Sequence, residues 1–217
     1  CLKPKNLSFE EACCIPTVFL TSYIGLIKLG RLRKSENLLI HTASGGVGLS
    51  ALQIANWKQA TIFTTAGTKE KREHLRSNGI KNVYDSRSLD FAHILKSKNT
   101  ELDIVLNTLS GELMFESIKL LKPFGKFIHI DKKDIAKDTH FGMKLLSNGI
   151  VFQFLDISLL FLNPDLMTSS LEEIVELFEN GSFKAIFHTV YPKKDLKKAI
   201  TAMSRGTHIG KLVVTYD

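Results

Sequence analysis

The sequence predicts an α/β fold, a doubly wound six-stranded parallel sheet with a C-terminal α+β tail. Three observations carry that prediction. Short apolar runs alternate with helical patterns at nearly even spacing through the first three quarters of the chain. The first of these runs opens onto a glycine-rich turn, Ala43-Ser44-Gly45-Gly46-Val47-Gly48, followed by a helix of small residues. The 217 residues are 44% apolar and 24% charged with only five prolines, which requires a globular interior and excludes a disordered chain, a collagen-like repeat and a small disulfide scaffold. A chain of this length buries roughly 70% of its unfolded surface and needs no disulfide or metal staple.

The elements follow in order. Ser8 with Glu11 is a capping-box pattern that starts a helix running to about Cys14, and residues 17–29 read as a second helix. Strands are predicted over 37–42, 61–65, 82–84, 102–106, 126–130 and 150–155. Between them lie helices over 47–57, 69–78, 88–96, 112–121 and 141–146. Gly79 and Gly125 stand where helices must stop, and Pro123 precedes a strand. Past Asp156 the alternation ends. A helix over 171–178 is closed by Asn180 and Gly181, and a strand over 187–191, a helix over 195–203 and a strand over 211–215 complete the chain. These elements are too few for a second domain, so the expected organisation is a lead-in at 1–16, one sheet domain at 17–157 and a trailing segment at 158–217.

Charge narrows the function classes only a little. Lys plus Arg, 29, less Asp plus Glu, 22, leaves +7, in pairs and triplets interleaved with acids rather than one basic tract. No nucleic-acid partner is expected on that ground alone. The three cysteines, Cys1, Cys13 and Cys14, lack metal-ligand spacing, so a reducing, cytoplasmic setting and no metal are expected. The most apolar stretch, 150–162, is interrupted by Gln153, Asp156 and Ser158 and is too short to span a bilayer. No signal-peptide pattern precedes the first helix. The chain opens on Cys1 rather than Met, which points to a piece of a longer protein.

The glycine turn is the dinucleotide fingerprint with Ala43 in place of its first glycine. Gly45 lets backbone approach a pyrophosphate and Gly48 lets helix and strand pack closely, while Ser44, Gly46 and Val47 complete the turn. A tight βα turn without a ligand is the alternative reading, and the strand–turn–helix context weighs against it. The second strand decides which dinucleotide binds. An NAD site places a carboxylate there; this chain has Thr65-Ala66-Gly67-Thr68, then Lys71 and Arg72. Thr68 can donate to a 2′-phosphate and Lys71 can neutralise it. One charge-assisted hydrogen bond contributes about 1.5–3 kcal/mol, so NADPH is the expected cofactor. Solvation of Lys71 and Arg72 on a surface helix is the competing reading.

Several motifs together resemble the enoyl reductase domain of polyketide synthases. They are Phe19-Leu20-Thr21, Leu39-Ile40-His41 with the glycine turn, Ala66-Gly67-Thr68 with Glu70-Lys71-Arg72, and Tyr84 to Phe91. Val105 to Glu112, Lys132-Lys133-Asp134-Ile135 and Gly206 to Lys211 continue the series, so the resemblance covers nearly the whole chain. That family is zinc-independent and belongs to the medium-chain dehydrogenase/reductase superfamily. The resemblance implies hydride transfer from NADPH to the β-carbon of an α,β-unsaturated acyl thioester on an acyl carrier protein, then protonation of the α-carbon. It also implies a substrate-binding barrel before the point where this chain begins, with 1–16 leading in from it and 158–217 returning to it. Other domains of the same multienzyme are the implied partners.

By sheet topology Lys132 and Asp156 share the carboxyl edge, and the resemblance makes them the proton-donor pair. The family's glycine before that lysine is Asp131 here, a carboxylate where the loop passes the nicotinamide. Asn107 and Leu109 lie at the end of strand four, along the family's ribose path. Thr21 falls near the nicotinamide end, Ser86 and Arg87 beside the 2′-phosphate, and Lys211 where it can close over the cofactor. His41 reads as a structural, hydrogen-bonded residue. Strand six, 150–155, is the sheet's free edge, and superfamily members pair such edges, so a homodimer through it is expected. A stand-alone quinone or alkenal oxidoreductase and a non-catalytic NADPH-binding module remain the alternatives.

Overall fold

The computed structural model describes residues 2–216. The sheet consists of β1 (Asn37–Ile40), β2 (Thr61–Ala66), β3 (Asn82–Asp85), β4 (Leu102–Asn107), β5 (Leu121–His129) and β6 (Val151–Phe154). Their order is β3-β2-β1-β4-β5-β6 and every pairing is parallel, the doubly wound arrangement that places each crossover helix on a sheet face. Alternation within each strand splits the core. Leu38, Ile40, Ile104, Leu106 and Ile128 face one cluster, whereas Leu39, Phe63, Val105 and Phe127 face the other.

The helices are α1 (Phe9–Ala12), α2 (Pro16–Tyr23), α3 (Gly46–Trp57), α4 (Lys69–Ser77), α5 (Asp90–Ser97), α6 (Glu112–Ile118) and α7 (Lys133–Ala136). The expected capping box is present: Ser8 N–H donates to Glu11 at 2.8 Å and Glu11 N–H to Ser8 Oγ at 3.1 Å. Small residues let α2 and α3 approach closely, so that Ser22 and Ser50 hydroxyls meet at 2.7 Å. The predicted second helix changes character midway, α2 passing at Ile24–Leu29 into a π-helix that ends with Gly30 N–H on Gly25 O at 2.8 Å.

Three departures from the predicted elements have local causes. The helix expected to reach Leu121 stops at Ile118, because Leu120 and Leu121 are buried and Leu120 O accepts from Leu102 N–H. β5 therefore starts early and jogs at Pro123-Phe124-Gly125, where its register with β4 shifts. Residues 141–146 form only the short 3-10 turn Met143–Leu146. The helix expected at 171–178 is the longer α8 (Pro164–Glu179), started by Asn163 as cap and Pro164 in its first turn.

Beyond α8 come β7 (His188–Pro192), α9 (Leu196–Arg205) and β8 (Lys211–Thr215), the two strands forming a parallel pair. This segment joins the main core: Phe178 stacks edge-on against Phe19 of α2 with centroids 4.8 Å apart, and Phe183 meets both rings. Among the described residues no helix is long and apolar enough to cross a membrane. β6 stands at the end of the strand order, with Val151 exposed.

Candidate active site

Six parallel strands bring their carboxyl ends to one edge, and the loops that follow them build the site. At β1 the chain turns through Ala43, which is fully buried, and a Cβ on Gly48 would lie 2.4 Å from Ala43 Cα. Only glycine permits that approach. Gly45 is extended (φ −81°, ψ 172°) and offers α3 no side-chain cap, so the first-turn N–H groups of Gly46, Val47 and Gly48 have no side-chain acceptor. These groups and the helix dipole present positive potential to an anion.

The C-terminal segment crosses this turn. Gly210 N–H donates to the carbonyl of buried Ser44 at 2.9 Å, and a Cβ on Gly46 would meet Lys211 Cδ at 2.9 Å. The Lys211 stem thus lies over the glycine turn. Thr42 and Thr108 hydroxyls, 2.7 Å apart, tie the turn to the loop after β4.

The end of β2 forms a second cluster. Thr68 caps α4 by accepting the Lys71 N–H at 3.3 Å. Arg87 Nε and Ser86 Oγ lie 3.2 and 3.5 Å from the point where a Gly67 Cβ would stand. The Lys71 ammonium donates to Gly206 O at 2.6 Å, and burial first, then the Arg87 cation, pull its pKa below the ordinary lysine value. Two cations face each other here, and among the described residues neither has a carboxylate partner. Arg72 differs from the sequence-based expectation. Its guanidinium donates to Asp85 Oδ2 at 2.8 Å and Ala66 O at 3.0 Å, so it braces α4 to the sheet.

Several expected ligand-facing side chains turn inward. Thr65 has no exposure, its hydroxyl held by His41 Nδ1 at 2.9 Å and by Thr42 N–H at 3.3 Å. Thr21 donates to Thr17 O at 2.7 Å within α2, a local bond that β-hydroxyl residues make in helices. His41 also meets Ser117 Oγ at 2.9 Å, and burial pushes its pKa down to about 3, as befits a structural histidine.

The remaining edge gathers the chemistry-bearing residues. Asn107 is fully buried; its amide donates to Leu109 O at 2.7 Å and accepts from Leu109 N–H at 3.2 Å, which shapes the 108–110 loop from within. Asp131 is turned toward that loop, accepting from Ser110 Oγ at 2.9 Å and from Lys133 N–H at 3.3 Å. Lys132 Nζ reaches Asp156 Oδ2 at 2.7 Å, bringing together the two residues that topology placed on one edge. Ser158 donates twice to Asp156 Oδ1, and the Lys132 bond followed by these two holds the carboxyl down to about 2. The Ser110–Asp131 link was not legible in the sequence, since it depends on the register of two loops.

A doubly wound sheet with this glycine turn defines a dinucleotide-binding domain, and similarity to known proteins narrows the class. The profile of the family described as zinc-binding dehydrogenase matches residues 78–214. Reducing polyketide synthase rdc5 of Metacordyceps chlamydosporia is 37% identical over 98% of this chain, which spans 9% of that protein's length. Two solved structures each cover 99% of this chain: the CurF ER cyclopropanase from the curacin A biosynthetic pathway (TM-score 0.91, 31% identity) and the CurK enoyl reductase (TM-score 0.88, 36% identity). The chain spans 64% and 65% of those two chains. It belongs to the zinc-binding dehydrogenase family, within its enoyl reductase group of polyketide synthase domains. The fold and family imply a nicotinamide cofactor, and the glycine turn with its uncapped helix fits one. Zinc is a different matter: among the described residues no group of three or more His, Cys, Asp or Glu is placed to hold a metal.

Proposed function

We propose that the chain is the cofactor-binding part of an NADPH-dependent enoyl reductase of a polyketide synthase, acting on an α,β-unsaturated acyl thioester carried by an acyl carrier protein. The observation that carries this reading is the Lys132–Asp156 ion pair at the sheet edge that also bears the glycine turn. NADPH, when bound, supplies the hydride that adds to the β-carbon. The α-carbon then needs a proton, and the Lys132 ammonium is the donor, aimed by the Asp156 carboxylate. Lys132 is 64% exposed, so the amine regains its proton from solvent.

The remaining residues bind and orient. Gly45, Gly46, Val47 and Gly48 receive the pyrophosphate with Lys211 above them, and Lys71, Arg87, Ser86 and Thr68 receive the 2′-phosphate. The Asp85 carboxylate is taken up by the Arg87 backbone N–H and the Arg72 guanidinium, and among the described residues neither the Lys71 ammonium nor the Arg87 guanidinium has an ion-pair partner, which supports NADPH over NADH. In the proposed organisation residues 17–157 are the cofactor domain, 158–217 belong to the substrate domain, and the open edge at 150–155 pairs in a homodimer.

The test is a fluorescence titration of the intact protein with NADPH, followed by a crotonyl thioester. Saturable binding and thioester-dependent oxidation are expected. Binding without oxidation would mark a non-catalytic dinucleotide module instead.

A further inference from the structure

Two buried polar atoms at the corner after β5 have no hydrogen-bond partner among the described residues. Asn107 Nδ2 donates one hydrogen to Leu109 O and the other to His129 Nδ1, at 2.7 and 2.8 Å. Asn107 Oδ1 accepts from Leu109 N–H, which fixes the amide's orientation. His129 Nδ1 is therefore an acceptor, and the neutral ring carries its proton on Nε2. That Nε2–H is buried and unbonded; so is Asp134 Oδ2, while Asp134 Oδ1 accepts from Thr139 Oγ1 at 3.0 Å. His129 is 1% exposed and Asp134 8%.

An orphaned donor and an orphaned acceptor, each costing about 1–3 kcal/mol if left dry, stand at one corner and have complementary roles. Among charged groups Asp134 acts most strongly on the imidazole and Asp131 next; Asn107 on β4 is neutral, and β6 offers only the rings of Phe152 and Phe154. The Asp131 backbone also lies close enough to favour the charged ring, but it makes no hydrogen bond of normal geometry to it, and burial outweighs this and both carboxylates and lowers the His129 pKa, so the ring stays neutral. A single water with one acceptor and one donor satisfies both orphans.

We infer that His129 is a positioning residue: held as the Nε2–H tautomer by Asn107, it joins Asp134 through one buried water and so fixes the corner that presents Lys132. Lys132 is the residue immediately before α7, and Asp134 is the second residue of that helix. The link between β5 and α7 therefore sets where the ammonium points. Asp131, bonded to Ser110, braces the same corner from the β4 side. The catalytic consequence rests on the enoyl reductase reading; the tautomer and the water do not.

The experiment has two arms. In the chain with 15N-labelled histidine, His129 should show an unprotonated Nδ1 and a protonated, slowly exchanging Nε2 whose resonance moves in Asp134→Asn. A protonated Nδ1, or an Nε2–H indifferent to Asp134→Asn, overturns the inference whatever the enzyme does. In the intact enzyme His129→Leu should lower kcat by about tenfold or more while the Kd for NADPH holds. His129→Gln, which keeps a donor near the Nε2 position, should recover most of it. Equal kcat in all three proteins overturns the positioning role. If the wild-type protein reduces no thioester, the enoyl reductase reading fails, and the nitrogen spectra still decide the tautomer and its partner.

Discussion

Lys132 Nζ lies 2.7 Å from Asp156 Oδ2, a single ion pair joining the corner after β5 to the residue that caps the turn after β6. If Lys132 delivers the α-proton, Lys132→Ala lowers kcat by about 10²- to 10⁴-fold with the NADPH Kd unchanged. Asp156→Asn, which keeps shape and loses charge, should lower kcat less. Stopped-flow turnover beside equilibrium binding separates the two effects, and unchanged turnover in Lys132→Ala removes the assignment. The Asp156 carboxyl is lowered from 3.8 to about 2, so the pair's contribution is complete above pH 4 and is lost only as pH falls through that window. An acid limb of activity near pH 6 would therefore belong to another group.

Lys71 and Arg87 present two cations that among the described residues have no ion-pair partner. Lys71→Ala and Arg87→Ala should each weaken NADPH about 10- to 150-fold and leave NADH within a few-fold, since only the former carries the 2′-phosphate. Parallel titrations of both cofactors check this. Equal losses for NADH and NADPH would mean the cations shape the loop rather than read the phosphate. Arg72→Ala should instead lower stability, because its partners are Asp85 and the Ala66 carbonyl.

The parallel sheet and the glycine turn were legible because both arise from short-range signals, apolar period and backbone permissiveness. The Lys132–Asp156 meeting was legible too, since parallel topology forces the ends of β5 and β6 together. What the sequence hid depends on which face a side chain takes after packing. Thr65 lies in a strand, where a one-residue change of facing exchanges ligand for core, and it faces His41. Lys71 and Arg72 are adjacent on α4, yet Arg72 turns back to the sheet while Lys71 reaches Gly206, 135 positions onward. His129 gave no motif at all; its role depends on the orientation of the Asn107 amide.

Gly48 is held by its neighbour's backbone rather than by its own dihedrals. A methyl there would stand 2.4–2.5 Å from Ala43 Cα, C and O, none of which can rotate away. Gly48→Ala should cost about 3 kcal/mol or more, at the upper end for overpacking. Gly142→Ala is the control, with nothing within 4 Å of the added carbon. Urea melts of both variants check it, and a Gly48→Ala midpoint equal to that of the control would show that α3 can retreat from β1 at little cost.

His41 links stability to pH. Burial lowers its pKa from 6.5 to about 3, so the native state holds it neutral between Thr65 and Ser117 while the unfolded chain protonates it below about 6.5. Its contribution is whole above that value and is lost as pH falls toward 3. The slope approaches about 1.4 kcal/mol per pH unit, or roughly 3 kcal/mol between pH 7 and 4. His41→Gln, which cannot titrate, should be less stable than wild type at pH 7, and the gap should narrow steadily on acidification. His129, pushed the same way by burial, leaves a residual slope in the variant. Urea unfolding at half-unit steps from pH 7 to pH 4.5 measures the gap directly. Parallel profiles for the two proteins would mean that His41 takes up its proton in the folded state.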